Sequence, residues 1–416
     1  MTSTSALQKG LGSLSLNEVD TIATREWNVL REDLNLPAAV LLQPRVEHNL
    51  RWMTEFAREY GVLLAPHGKT TMAAKLFSRQ MDAGAWGITV ATAHQAAVAH
   101  AHGVKRILMA NELVGRANFE LVSDVIAGGT TFYTLVDSPA LVDQLGAFFH
   151  SKHQQLRVLL ELGVPGGRTG TRTDEQAQAV VDAVARWGGT LLLCGVEVYE
   201  GVLKDEAGVR DYLTRAVETT QRLRQAEAFA AEERVILTGA GSAWYDVVAD
   251  VFATVRESVD VVLRPGCYLT SDAGIYRTAQ RDITQRNAAA RSVDQALGSS
   301  LLPALEVWAY VQSIPEPGLA IVGLGKRDAA FDSGLPQPVW HHRQGGVAPT
   351  PVPEGWTTTK LMDQHAYLAI PEGADLRVGD MLGFEISHPC LTFDKWRFLT
   401  LVDADYNVLE AVPTFF

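Results

Sequence analysis

Between residues 60 and 265 the chain repeats one pattern: a short apolar run, then an amphipathic stretch. The runs fall at 62–64, 87–90, 106–109, 131–136, 157–162, 191–198, 234–238 and 259–263, eight in all. Stretches with helical spacing separate most of them, among them 93–102, 115–127, 139–150, 175–187, 209–229 and 243–253. Short apolar runs bounded by helices are strands buried on both faces, and eight such units over ~200 residues is the count of a closed parallel β/α barrel. A doubly wound open sheet is the main competitor, but no dinucleotide-type glycine fingerprint opens the first unit. An earlier helix, 46–60, sets Val46, Leu50, Met53 and Ala57 on one face, the stripe of a helix docked along one side.

After Asp272 the rhythm changes. Residues 273–299 read as a connector with helical content, and the runs at 304–311, 319–322, 381–386 and 398–402 have no long helices between them. Gly, Pro and Asp punctuate this region, as in Glu316-Pro317-Gly318, the mark of a mostly antiparallel β-domain. The chain therefore divides into an N-terminal extension (1–34), a (β/α)8 TIM-type barrel (35–272) and a C-terminal β-domain (273–416). The run at 38–43 precedes the barrel and can pair with it or with the C-terminal sheet.

The net charge of −12 disfavours nucleic acid and anionic membranes as partners. No apolar run reaches the ~18 residues that a bilayer requires. Residues 1–17 lack the apolar core and small-residue cleavage site of a secretory signal and read as a flexible or loosely docked arm. Three cysteines, Cys194, Cys267 and Cys390, are too few and too unevenly spaced for a disulfide scaffold, which favours a cytoplasmic location.

The first run ends in Ala65-Pro66-His67-Gly68-Lys69-Thr70-Thr71. Lys69 would stand at the C-terminal end of a barrel strand, the catalytic rim, where a desolvated amine can serve as a Schiff-base nucleophile. Two glycine-containing turns follow the seventh and eighth runs: Thr238-Gly239-Ala240-Gly241-Ser242 and Arg264-Pro265-Gly266-Cys267-Tyr268. These are the loops that commonly bind phosphate in a barrel. A rim amine and a phosphate cup together point to pyridoxal 5′-phosphate, with Thr238, Gly239, Gly241, Ser242, Gly266 and Cys267 as cup residues and His67 beside the lysine. Separately, His388 and Cys390 lie two apart. In an extended segment they would share a face and could share a divalent metal, the thiolate favouring Zn²⁺ over Mn²⁺ or Mg²⁺. His94, His100, His102, the pair Glu232-Glu233, and Trp86, Trp187 and Trp308 read as surface or packing residues.

In this order, Pro66-His67-Gly68-Lys69-Thr70, Gly163-Val164-Pro165-Gly166-Gly167-Arg168-Thr169-Gly170, Thr238–Ser242, Arg264-Pro265-Gly266, Asp363-Gln364-His365 and His388-Pro389-Cys390 resemble the D-serine dehydratase/D-threonine aldolase family of alanine-racemase-type (fold type III) pyridoxal-phosphate enzymes. The resemblance implies that Lys69 is the Schiff-base lysine and removes the Cα proton. It places Arg168 near the cofactor ring and its O3′, and Tyr199 at the end of the sixth strand against ring or substrate. His365 approaches the site as a further catalytic candidate, and His388 and Cys390 hold the metal. It also implies a homodimer whose site lies between the barrel of one subunit and the β-domain of the other. The dehydratase branch resembles this chain in its His–Cys pair, whereas the aldolase branch carries a carboxylate in place of the thiol. The expected activity is dehydration of a β-hydroxy D-amino acid such as D-serine or D-threonine to a 2-oxo acid and ammonia. Retro-aldol cleavage to glycine and an aldehyde is the alternative, and a non-catalytic cofactor carrier a further one.

Overall fold

The computed structural model describes residues 8–12, 14, 16–231 and 233–416. Residues 1–7 of the arm, and Glu232 of the acidic pair, lie outside the described residues. Eight parallel strands form one sheet: β2 (Leu63–Leu64), β3 (Ile88–Val90), β4 (Arg106–Glu112), β5 (Thr131–Val136), β6 (Leu156–Leu162), β7 (Leu191–Val198), β8 (Ile236–Gly239) and β9 (Asp260–Leu263), in spatial order β2-β9-β8-β7-β6-β5-β4-β3. The two ends of that order meet where Trp86 N donates to Leu64 O (2.7 Å) and Thr89 N donates to Pro66 O (2.9 Å), with a parallel bridge between His67 and Thr89. This closes the cylinder at the lysine loop.

The helices between strands are α2 (Ala74–Asp82), α3 (Ala93–Ala101), α4 (Arg116–Ala127), α5 (Pro139–Ser151), α6 (Asp174–Arg186), α7 (Glu206–Gln225) and α8 (Tyr245–Phe252), and α1 (Gln43–Tyr60) precedes β2. Several starts are written in the sequence. Thr173 and Gln176 form a reciprocal capping box on α6, and Asp205 accepts from Gly208 N at the head of α7, each satisfying amides that have no partner within the helix. The first strand is short because the chain turns at Pro66, and the lysine loop is a single 3₁₀ turn, Gly68–Thr70, rather than the start of α2.

After β9 come α9 (Ile275–Arg286) and α10 (Ala288–Leu297), then the second sheet. Its main path is β13 (Thr350–Pro351), β12 (Gln337–His342), β16 (Met381–Glu385), β10 (Leu305–Glu316), β1 (Ala38–Leu42), β17 (Phe398–Val402) and β18 (Val408–Pro413). β11 (Leu319–Val322), β15 (Ala366–Ala369) and β14 (Thr357–Leu361) extend it from β10. β1 pairs antiparallel with β10 and parallel with β17. The run ahead of the barrel thus belongs to the C-terminal sheet, and α1 leaves that sheet directly for the barrel wall.

Leu11, Leu14, Val19, Ile22, Val29, Leu30 and Leu34 are buried against Val40, Leu42, Trp308, Met381 and Tyr406, so the described part of the N-terminal segment covers one face of this sheet. Beneath it Glu306 is wholly buried and accepts from Trp308 Nε1, Trp340 Nε1 and Tyr406 OH, each at 3.0 Å. Arg45 of α1 lies 3.4 Å from the same carboxylate. A buried charge persists only where donors replace its water, and these donors join strands β10 and β12, the β17–β18 turn and the first barrel helix. Within the described residues no helix is long and apolar enough to cross a membrane.

Close approach fixes one residue of the barrel wall. A Cβ at Gly195 would lie 1.9 Å from Ile236 O of the neighbouring strand, beside the bulge where β7 slips one residue against β6. Gly195→Ala forces β7 and β8 apart. It is expected to cost about 1–3 kcal/mol or more, read as a thermal midpoint several degrees lower, with no loss of secondary structure at 25 °C.

Candidate active site

A cavity of about 490 Å³ opens at the C-terminal ends of the barrel strands, lined by both the barrel and the C-terminal domain. That is the size class of small-molecule sites. Lys69 enters it from the loop after β2. Its Nζ has no carboxylate partner within 4 Å among the described residues. Burial lowers its pKa, Arg168 and Arg264 lower it further, and Cys390 and Cys267 oppose them. His67 is pushed well below its usual range, first by burial and then by Lys69, Arg264 and Arg168. It is therefore neutral, and its Nδ1 is buried without a partner.

Arg168 lies with its guanidinium carbon 4.1 Å from the centre of the Tyr199 ring, a cation–π contact, and both line the cavity. Arg264, buried, pairs with Glu197 and donates to Val198 O (2.9 Å). Its Nε faces no partner. At Gly266 a Cβ would come within 2.6 Å of Thr70 Oγ1 and 2.9 Å of His67 O, so only glycine lets this turn lie against the lysine loop.

The cup differs from its sequence expectation. Gly241, Ser242, Gly266 and Cys267 line the cavity, but Thr238 and Gly239 do not. Both belong to β8 itself. Thr238 is buried with Oγ1 donating to Val262 O (2.7 Å), and Gly239 faces Val198, Val248 and Phe252. The amides of Ala240 and Gly241 donate to the buried carboxylate of Glu200 (3.1 and 2.6 Å). The donor groups left at this end are Ser242, whose Oγ accepts from Cys267 N at 3.3 Å, and the turn at residues 266–267.

His388 and Cys390 line the same cavity as Lys69, though not by strand geometry. His388 adopts a left-handed backbone (φ 61°, ψ 78°) and caps a short helix, α11 (Pro389–Phe393). The fold of that turn brings the two side chains together. His388 Nδ1 bonds Asp332 Oδ2 (2.7 Å), and the ring also contacts the Cys390 sulfur. Contact with Cys390, then Asp332, raises its pKa to about 9. The S–H of Cys267, His388 and Thr70 hydrogen-bond the Cys390 sulfur and pull its pKa down. An ionised thiolate beside an imidazole whose far nitrogen is held by a carboxylate fits a metal ligand pair. His365 is not in the cavity of its own chain. It is exposed in the β14–β15 turn, where its carbonyl accepts from Met362 N.

Three residues had no sequence signal. Tyr276 of α9 lines the cavity and contacts Cys267. Asp332 stands 56 residues before the histidine that it orients. Glu200 follows Tyr199 as an unremarked acid. Asp272 did have a signal, since an acid just ahead of a helix is a capping type; it accepts from Gly274 N, Tyr276 N and His388 N, each at 2.9 Å.

Behind Thr169, which donates to Glu161 Oε1 (2.7 Å), Glu161 and Glu112 are neighbours in the barrel interior. Burial, first, and then the adjacent Glu112 raise Glu161 far above the carboxylate range. The folded chain keeps a proton there that the unfolded chain releases near pH ~4.3. Stability is therefore full below that pH and declines as pH rises through the raised pKa, by up to ~1.4 kcal/mol per unit. Urea unfolding at pH 5.5, 7 and 8.5 is expected to show this slope in the parent and a flatter one in Glu161→Gln.

Residues 43–272, more than half the chain, match the family described as "Alanine racemase, N-terminal domain", and residues 304–402 match the "Putative serine dehydratase domain". The chain is 26% identical over 370 residues to the D-threonine aldolase of an Arthrobacter species, covering 89% of each. It is 29% identical over 168 residues to the D-threo-3-hydroxyaspartate dehydratase of Delftia sp. (strain HT23), covering 40% of this chain and 44% of that one. A mutant of D-threo-3-hydroxyaspartate dehydratase, solved in its metal-free form, superposes with a TM-score of 0.72 at 22% identity, covering 94% of this chain and 99% of that one. The chain belongs to the alanine-racemase-type, fold type III family of pyridoxal-phosphate enzymes, and the aldolase and the dehydratase to which it is similar are lyases.

Proposed function

We propose that the chain is a metal-dependent lyase of β-hydroxy D-amino acids and that its reaction is dehydration to a 2-oxo acid and ammonia. The observation that carries this reading is the meeting of Lys69 with an imidazole–thiol pair in one cavity. Pyridoxal phosphate, when bound, supplies an electron-withdrawing ring that accepts the charge left at Cα. A divalent metal supplies Lewis acidity at the β-hydroxyl.

Lys69 would hold the cofactor through its amine. Burial lowers its pKa, which favours the free amine, the form that can take the Cα proton. Ser242, Gly266 and Cys267 would hold the phosphate, since Glu200 already occupies the amides of Ala240 and Gly241. Arg168, stacked on Tyr199, sets a fixed positive charge on the wall of the cavity. His388 and Cys390 would hold the metal, with Asp332 fixing the imidazole tautomer. One thiolate with one imidazole favours Zn²⁺ and leaves positions for water or a substrate hydroxyl. A carrier has no use for such a pair beside its lysine.

Retro-aldol cleavage is the second reading, favoured by the aldolase that matches over most of the chain. Cys390, a thiol like that of the dehydratase branch, weighs against it. We further propose a homodimer; a catalytic role for His365 requires a second copy, because its own chain keeps it away from the cavity.

Proton NMR of the chain reconstituted with pyridoxal phosphate and Zn²⁺ and given D-threonine decides between the readings. 2-Oxobutanoate with ammonia is expected; glycine with acetaldehyde would overturn dehydration in favour of the aldolase. Lys69→Ala is expected to abolish turnover and the bound-cofactor absorption band together. Cys390→Ala should keep the band and lose tight zinc binding. Asp332→Asn, one bond removed from the metal, is expected to weaken zinc binding about 10–100-fold, measured by chelator competition.

A further inference from the structure

Cys267 opens a 3₁₀ turn, Cys267–Leu269, after β9, and Cys390 lies in the first turn of α11 on the other domain. Their sulfurs are 3.5 Å apart across 123 residues of sequence. Both line the cavity, so a small oxidant that enters the site meets both. The third cysteine, Cys194, is buried elsewhere in the barrel with Sγ against Leu192 O (3.3 Å). One role within the proposed site, metal ligation, accounts for Cys390; it does not account for a second thiol in contact with it.

We infer that Cys267 and Cys390 are a reactive dithiol, a modification site for hydroperoxides. Its disulfide joins the two domains across the cavity and removes Cys390 from the metal. Cys390, the more accessible of the two, attacks the peroxide; the O–O bond breaks and a sulfenic acid results, with one water from hydrogen peroxide or one alcohol from an organic hydroperoxide. The Cys267 thiol then attacks that sulfur, the S–S bond forms and a water leaves. The sulfurs supply both electrons, and the two thiol protons end in the water or alcohol. The sulfurs must close from 3.5 Å to the ~2.05 Å of a disulfide, a shift of about 1.5 Å shared between a turn and the head of a five-residue helix. The thiol chemistry stands on this contact alone; its effect on the metal rests on the reading of His388 and Cys390 given above.

The test starts from the full chain, reduced and metal-free, treated with one equivalent of hydrogen peroxide, quenched and denatured. Alkylation is expected to find one free thiol instead of three. Peptide mapping should give a Cys267–Cys390 linkage two hydrogens lighter than the dithiol, reversed by dithiothreitol. Zinc binding, by chelator competition, should be lost and regained in step. Oxidation of Cys390 to a sulfinic acid with Cys267 still open to alkylation would overturn the proposal, as would three thiols surviving the treatment. A mapped disulfide with unchanged zinc affinity also overturns it. Reduced Cys390→Ala then locates the fault: if that variant binds zinc as the parent does, the metal reading has failed rather than the thiol chemistry.

Discussion

The site depends on one carboxylate. Asp272 ends the barrel half of the chain, and its two oxygens divide their work between the domains. Oδ1 accepts from Gly274 N and Tyr276 N at the head of α9, while Oδ2 accepts from His388 N. His388 is held with φ at 61°, a conformation that costs a non-glycine residue roughly 1–2 kcal/mol. A hydrogen bond to a charged group contributes about 1.5–3 kcal/mol, enough to offset it. The strained turn is what lets an imidazole and a thiol two residues apart face one point. The same carboxylate fixes that point beside the barrel rim, helped by Ala273 N donating to Ile386 O.

Charge in the cavity is arranged in layers. Lys69, Arg168 and Arg264 line it, and behind them Glu197 and the Glu112–Glu161 pair occupy the barrel interior. Glu197 neutralises Arg264 directly. The pair holds a proton and adds less negative charge than its formula suggests. The wall therefore stays net positive toward an anionic ligand, although the chain as a whole carries −12. Desolvation is the leading cause at both levels, lowering the amine of Lys69 and raising the carboxyl of Glu161. Burial thus acts first at both levels, in the direction that favours the uncharged form of each group.

Much of the barrel was legible because its strands are buried on both faces and need no alternation to be seen. All eight runs became strands, and the sequence 319–322 became β11 without a change of boundary. Lys69 was legible for the same reason: a lysine after a buried strand can only be at a rim. The cup was half legible. Thr238 and Gly239 look like loop residues by type, but β8 runs through Gly239, and strand pairing with β9 outweighed the glycine signal. His388 and Cys390 stand out by resemblance and by a spacing rule for extended chain, yet they reach one cavity through a helix cap rather than along a strand. Asp332 and Glu200 were invisible because their partners are distant in sequence or are backbone amides. His365 has no structural reason to meet the cavity of its own chain: a two-strand turn carries it outward.

The lysine belongs to the barrel and the imidazole–thiol pair to the C-terminal domain, so competence is a matter of register between the two domains. Three features set that register. Strand β1 is taken into the C-terminal sheet between β10 and β17 and runs without a break into α1 of the barrel wall. Arg45 at the head of α1 is tied to Glu306, whose remaining donors all come from the C-terminal sheet. Asp272 closes the far side of the loop. One apolar core runs through both domains, and to it these three crossings add backbone pairing and buried charge. Such contacts are directional, and they tolerate little sliding before a donor is left unpaired in a dry environment. The apolar core holds the domains together, and the directional contacts set the position that two sets of reacting groups on different domains require.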